Sequence, residues 1–166
     1  MKKIEEMRVM HLDEVKALFD TLPSATMSEM DGEFLATGLD QGSWLSNFIT
    51  LSAVNLPGRW LGKAFTPGLD RCGVGYNWFQ TRKGIRRTLA MKTYIKQSSI
   101  SQGESFHLDY GAVHAWLPRN GGDEIRKLND GIYLGFGWLK FPLIKRPLLF
   151  PFLLEGPASP FVQQKI

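Results

Sequence analysis

Glycine and proline divide the sequence beyond Pro57 into seven short segments whose composition favours β-strands. Short strands at regular spacing are typical of an antiparallel barrel or sandwich. The sequence therefore predicts a mainly β fold for this part of the chain. The predicted strands are Trp60–Phe65, Gly75–Gln80, Arg87–Gln97, Ser105–Val113, Glu124–Leu128, Ile132–Leu139 and Leu148–Leu154.

Two of these segments alternate between apolar and polar residues, which is the pattern of a strand with one buried face. In Ser105–Val113 the apolar face carries Phe106, Leu108 and Tyr110, and His107 and Asp109 lie opposite. The second alternating segment is Arg87–Gln97. One of its faces carries Leu89, Met91, Thr93 and Ile95, and the other carries mostly Thr88, Lys92, Tyr94 and Lys96.

The turn and the glycines near the last strands add two expectations. Asn129-Asp130-Gly131 separates two predicted strands and predicts a tight hairpin turn. Gly135 and Gly137 alternate with Phe136 and Trp138, so one strand face is almost bare. A bare face is expected where a ligand or another backbone approaches closely, and a bulge or a tight barrel bend explains the same glycines.

The part before Pro57 is predicted to be mostly helical. Apolar residues at helical spacing predict a helix over Leu12–Leu22 that Pro23 ends. Thr26 and Glu29 have the spacing of a capping box. A short strand is predicted at Gly32–Gly38 and a second helix at Ser43–Leu51. We therefore expect one domain over residues 1–166, with a helical part, 1–56, packed on a β-barrel, 57–166.

Composition and charge exclude several classes of protein. A lone cysteine, Cys72, cannot form an internal disulfide or a multi-cysteine zinc site. Residues 1–40 hold nine acidic and four basic side chains, whereas the rest of the chain is strongly basic. The N-terminus lacks the apolar core of a secretory signal, and no apolar run is long enough for a membrane-spanning helix. We expect a cytoplasmic protein, with contact to a membrane surface left open.

Five short motifs resemble one bacterial family. They are Gly58–Phe65, which reads Gly-x-Trp-x-Gly followed by Lys-x-Phe, together with Asp31–Gly38, Phe106–Tyr110, Asp123–Arg126 and Asp130–Gly135. In combination these motifs are similar to those of the uncharacterised bacterial proteins that carry a GXWXG domain. The resemblance implies a β-rich partner region and no established reaction.

Gly58-Arg59-Trp60 is also similar to the opening strand of lipocalins, in which the tryptophan closes one end of the barrel. Together with the strand count, this similarity favours a calycin-like antiparallel β-barrel with N-terminal helices. Such a barrel implies a cavity for a small apolar ligand.

The first hypothesis for function is a non-catalytic binder of a small hydrophobic or amphipathic ligand. Apolar ligand sites are walled by aromatic rings with few polar anchors, and aromatic residues are frequent in the predicted strands. A filled core explains the same rings. The predicted lining residues are Trp60, Tyr76, Trp78, Arg87, Tyr94, His107, Asp109, Tyr133, Phe136 and Trp138.

The second hypothesis is a hydrolase, isomerase or lyase that uses His107 and Asp109 in the same cavity. Two residues apart on a strand, they share a face at about 7 Å, so one could orient the other as a base. The simpler interpretation is a polar face turned to solvent. His114 lies nearby, but its side is undetermined, so we predict no metal site. No dinucleotide fingerprint or nucleophile elbow is present, and no cofactor is predicted.

Two further surfaces bear on partners. The basic stretch Arg82–Arg87 could contact phosphate, but a net charge of +4 and the lack of a nucleic-acid motif make nucleic acid an unfavoured partner. The third hypothesis is a peripheral membrane or interaction module that uses Phe141–Phe152, with Lys140, Lys145 and Arg146 at lipid head groups. The oligomeric state is undetermined at this level.

Overall fold

The computed structural model describes residues 6–39, 58–114, 121–140 and 147–164. These residues include a helix, α1, over Leu12–Thr21, and eight strands. The strands are β1 (Gly32–Gly38), β2 (Arg59–Pro67), β3 (Cys72–Thr81), β4 (Gly84–Gln97), β5 (Glu104–Asp109), β6 (Gly121–Asn129), β7 (Ile132–Leu139) and β8 (Leu148–Ser159).

The eight strands form a closed antiparallel barrel. Each strand pairs with the next in the chain, and β8 returns to pair with β1. The predicted mainly β, single-domain fold is confirmed. The predicted boundary at residue 57 is wrong, because β1 belongs to the barrel and not to a separate helical part. The predicted helix Ser43–Leu51 lies outside the described residues.

The element bounds agree with the predictions in most places. The predicted strand Ser105–Val113 is too long, because the amides of Val113 and His114 donate to the Tyr110 carbonyl and turn the chain after β5. The predicted hairpin is confirmed, and Gly131 has a φ of 68° that favours glycine at this position. Thr26 and Glu29 exchange the capping-box hydrogen bonds, at 3.0 and 3.3 Å.

Aromatic rings fill much of the barrel lumen. Phe34 meets Tyr133 at 5.7 Å between centroids, and Phe65 meets Phe106 at 5.4 Å, in both cases from strands that are not neighbours. Both contacts are edge-to-face, the arrangement that the ring quadrupoles favour. The apolar faces predicted for β4 and β5 contribute Met91 and Leu108 to the same core.

The glycine face of β7 is covered by an aromatic ring. Gly135 pairs with Phe152 of β8, and a Cβ atom built on Gly135 would lie 2.3 Å from Cζ of Phe152. The ring therefore lies flat on the backbone of β7. Gly135 therefore provides space for the Phe152 side chain, which belongs to the core of the protein itself.

We expect Gly135→Ala to lower the free energy of unfolding by about 1–3 kcal/mol, because the methyl group would displace the Phe152 ring in a packed core. Gly38→Ala is the matched control, since no atom lies within 4 Å of a Cβ built there. Urea denaturation of both variants measures the effect. Equal stability of the two alanine variants would contradict this description of the core.

One end of the barrel is closed by the segment between α1 and β1. Ala25 and Met30 are fully buried in the lumen core. The amide of Lys127 donates to the Pro23 carbonyl, and the Lys127 ammonium lies 2.6 Å from Glu29. We call this the plugged end and the opposite one the distal end.

The outer face of β6, β7 and β8 is covered by α1. Phe19 of the helix packs edge-to-face on Phe136 of β7, with 5.1 Å between centroids. Val15 and Phe19 are fully buried against Leu134 and Leu153. The helix therefore packs on the side of the barrel.

Candidate functional site

A charged cluster lies in the lumen toward the distal end, in an otherwise apolar barrel. The Lys63 ammonium donates to Oδ2 of Asp123 at 2.6 Å, to the Tyr110 hydroxyl at 2.6 Å and to Oδ1 of Asn77 at 3.0 Å. The Tyr110 hydroxyl donates in turn to Oδ2 of Asp123 at 2.7 Å. We call these four residues the Lys63 cluster. They come from β2, β3, β6 and the turn after β5, so the cluster spans the lumen.

Three aromatic rings surround the ammonium of the Lys63 cluster. Their centroids lie 5.3 Å away for Trp60 and Tyr110 and 5.2 Å away for Phe152. The indole of Trp60 also donates to Oδ1 of Asn77 at 3.2 Å. Ring faces attract a cation, so these rings stabilise the positive charge on Lys63.

A β-bulge explains why Trp60 and Lys63 both face the lumen. In a regular strand, Trp60 and Lys63 would lie on opposite faces because they are three residues apart. The register between β2 and β3 shifts between Trp60 and Gly62 and brings both side chains inside. Gly62 makes this possible, since a Cβ there would lie 1.8 Å from the Phe34 carbonyl oxygen. The Gly-x-Trp-x-Gly sequence therefore builds one wall of the cluster.

The protonation of Tyr110 follows from its position. Burial, and then the charge of Asp123, raise the pKa of Tyr110 well above its usual value. The phenol thus stays protonated and remains a donor to the carboxylate. The cluster holds a cation, a carboxylate and a phenol in contact, a set of groups able to orient a polar ligand group.

The ten predicted lining residues do not meet at one place. Trp60 and Tyr133 lie in the lumen. The other eight lie on the outer side of the barrel. Residues that pair directly on neighbouring strands point to the same face, and the residues that pair with these eight point away from the lumen core. The eight are Tyr76, Trp78, Arg87, Tyr94, His107, Asp109, Phe136 and Trp138. Ligand binding by these residues stays a prediction, but they cannot line one common cavity.

Tyr76 and Arg87 belong to a hydrogen-bonded group on the outer side. Both donate to Oε1 of Glu33, at 2.8 and 2.6 Å, and Ser159 donates to Oε2. Burial acts to raise the pKa of Glu33, but these hydrogen bonds together lower it. The group ties β1 to β3, β4 and β8, and Phe161 of the C-terminal segment packs on Tyr76.

His107 and Asp109 lie outside the lumen, so the arrangement needed for the proposed His–Asp pair in a cavity is not present. Both side chains contact Tyr94. His107 stacks on Tyr94 at 5.8 Å, and its Nδ1 lies 3.7 Å from Glu124. Asp109 accepts from the Tyr94 hydroxyl at 3.0 Å, and burial with that carboxylate raises the pKa of Tyr94 to about 12.

The simpler interpretation expected His107 to face solvent, but the side chain is buried. Only 3% of its surface is exposed. The β4–β5 connection folds back over this face, where Ser98 and the amide of Ser99 donate to Glu124. Nε2 of His107 is buried and has no hydrogen-bond partner among the described residues.

Acid is expected to destabilise the protein through His107. Burial lowers the pKa of His107, although Glu124 opposes the shift, so the unfolded state takes up a proton first as the pH falls below about 6.5. The free energy of unfolding should therefore decrease between about pH 7.5 and pH 5.5, and less so in His107→Gln. Urea denaturation at both pH values measures this, with His11→Gln as an exposed control. Identical pH dependence of the wild type and His107→Gln would contradict it.

Metal and membrane binding have no added support from the described residues. Within them, no group of three or more His, Cys, Asp or Glu side chains could hold a metal ion.

No described helix is long and apolar enough to cross a bilayer. In the segment predicted to contact lipid, Phe152 belongs to the lumen core and is not available to a surface, and Phe141 and Arg146 lie outside the described residues. Membrane contact stays a prediction, which flotation with anionic liposomes can test.

The basic stretch lies at the β3–β4 turn. Arg82, Lys83 and Arg86 border a surface depression of about 430 Å³ there, whereas Arg87 is paired with Glu33. A second depression of about 460 Å³ lies outside the barrel beside Arg126 and Glu104. Neither depression is lined by a residue of the Lys63 cluster.

The predicted site omitted all four cluster residues. Lys63, Asn77 and Asp123 were not predicted, and Tyr110 was noted only as an apolar strand residue. One signal was present in the sequence, namely a lysine within the apolar segment Trp60–Phe65. The bulge that brings Trp60 to the same face as Lys63 leaves no such signal.

Comparison with known proteins supports the fold. The chain is similar to the crystal structure of a protein from Thermomonospora curvata, with a TM-score of 0.59 and 19% identity over 93% of both chains. At this identity the likeness shows the fold alone. No family model and no curated protein matches the chain, so the resemblances to GXWXG proteins and to lipocalins stay interpretations.

Proposed function

We propose that the protein binds a small amphipathic ligand at the distal end of the barrel lumen, with its polar group at the Lys63 cluster and its apolar part against Trp60 and Phe152. This proposal keeps the ligand class expected from the sequence and moves the site from the outer residues to the lumen. It is a binding function without a catalytic step.

The observation that carries the proposal is the presence of a charged network inside an apolar barrel. Lys63 is buried and Asp123 keeps 14% of its side chain exposed. Removing two charges from water costs several kcal/mol per ion, and apolar residues of similar volume often stabilise a protein as well or better. The network is therefore better explained by ligand recognition than by stability.

Native mass spectrometry of the purified protein tests the proposal. We expect either a co-purified molecule that is lost on denaturation or saturable binding of short-chain alcohols, ketones, amines or carboxylates. The double variant Lys63→Met/Asp123→Leu, which makes the cluster apolar, should lose this binding. Lys92→Met, on the exposed side of β4, is the control.

Two results would contradict the proposal. One is a wild-type protein that carries no ligand and binds no member of the panel. The other is a double variant that is folded and binds the same molecules with unchanged affinity, because the ligand would then not contact the Lys63 cluster.

A further inference from the structure

The carboxylate of Asp123 is bonded through only one of its two oxygens. Both Lys63 and Tyr110 donate to Oδ2. No described residue donates to Oδ1. An ionised carboxylate can accept on both oxygens, so one charged acceptor in the cluster is unused by the described residues.

The residue of β7 that lies beside Oδ1 is a glycine, and the Phe150 side chain of β8 borders the same space. Asp123 pairs with Gly137 of β7, and a Cβ built on Gly137 would lie 3.1 Å from Oδ1. Any larger residue at this position would place carbon against the oxygen. Phe150 lies 3.5 Å from that Cβ position, farther than Phe152 lies from the one on Gly135 at 2.3 Å, so Gly137 leaves more room beside Oδ1.

The charges of the cluster already balance. Lys63 and Asp123 form an ion pair, and the Tyr110 hydroxyl and the Asn77 amide are neutral. A charged ligand would add an uncompensated charge to an apolar lumen, which is costly. A neutral ligand with a hydrogen-bond donor meets no such cost.

We propose that Oδ1 of Asp123 is the acceptor that selects the ligand, and that the ligand is a neutral molecule with an apolar body and a hydroxyl or amide N–H donor. This inference rests on the proposed function and specifies its ligand class. Tyr110 and Lys63 act as positioning residues, since they hold Oδ2 and thereby aim Oδ1 at the ligand.

Cyclohexanol and cyclohexanone test this selectivity, because they share a ring and differ in whether they can donate. A hydrogen bond to a charged acceptor corresponds to about a tenfold difference in affinity. We expect wild-type protein to bind cyclohexanol about tenfold more tightly than cyclohexanone, as measured by NMR titration.

Asp123→Asn should reverse the preference. With Lys63 and Tyr110 still donating to the remaining oxygen, the amide nitrogen would take the place of Oδ1 and turn an acceptor into a donor. The variant should then prefer cyclohexanone. Asp109→Asn, on the outer side of β5, should keep the wild-type preference and serves as the control. Gly137→Ala should weaken binding of cyclohexanol, since its methyl group crowds Oδ1.

The outcomes separate this inference from the proposed function. If wild-type protein binds both probes equally, or Asp123→Asn keeps the wild-type preference, the inference is wrong and the lumen site stands. If the wild type and its controls bind neither probe nor any other member of the amphipathic panel, the proposed function fails as well.

Discussion

Replacing Arg126 by methionine is expected to lower the free energy of unfolding by about 3–5 kcal/mol. The guanidinium is fully buried on the outer side of β6 and donates to the carbonyls of Phe19, Asp20 and Gln102 and to the Ser105 hydroxyl. Two of these carbonyls lie in the last turn of α1, and the Phe19 carbonyl also accepts from the Leu22 amide at 3.1 Å. Methionine fills the space but removes the guanidinium donors from all four acceptors.

The measurement is urea denaturation followed by far-ultraviolet circular dichroism. Arg71→Met is the matched control, because Arg71 forms an exposed ion pair with Glu104 that should contribute at most about 1 kcal/mol. A loss in Arg126→Met no larger than that in Arg71→Met would show that Arg126 does not join α1 and the β4–β5 connection to the barrel.

Lys63→Met is expected to cost about 3–5 kcal/mol of unfolding free energy, because it leaves the Asp123 carboxylate without its cation in the lumen. The double variant Lys63→Met/Asp123→Leu should recover most of this loss, since it removes both charges and retains the volume. Recovery would show that the ion pair is not needed for folding.

Urea denaturation of the single and double variants measures this recovery. Lys16→Met is the control, because the Lys16–Asp20 pair on α1 is of the exposed kind worth about 0.3–0.5 kcal/mol. A double variant that is as unstable as Lys63→Met alone, or less stable, would indicate that the charged network holds the barrel together, and the main argument for a binding role would be lost.

The fold could be predicted from the sequence because a closed barrel has one buried face on each strand. The alternation that this produces is local, as in Phe106, His107 and Leu108, and so it can be detected without knowing which strands pair. The hairpin at Gly131 is equally local. The strand β1 was detected, but its place in the barrel was not, since closure with β8 joins residues far apart in the sequence.

The site could not be predicted because its geometry depends on irregularities and on distant contacts. The bulge after Trp60 puts Trp60 and Lys63 on one face, whereas strict alternation would place them on opposite faces. On the outer side, segments remote in sequence cover the strands: the β4–β5 connection lies over His107, and Phe161 lies over Tyr76. Buried aromatic and polar residues there looked like a ligand site, although they pack against the protein itself.

The position of a bound ligand is the most direct test of the account, and the tryptophan indole N–H signals report it. Trp60 lies in the lumen beside the Lys63 cluster, whereas Trp78 and Trp138 lie on the outer side. On titration with cyclohexanol, the signal that Trp60→Phe removes should shift and saturate, while those of Trp78 and Trp138 stay in place. A saturable shift of the Trp78 or Trp138 signal with the Trp60 signal unchanged would contradict a binding site in the lumen.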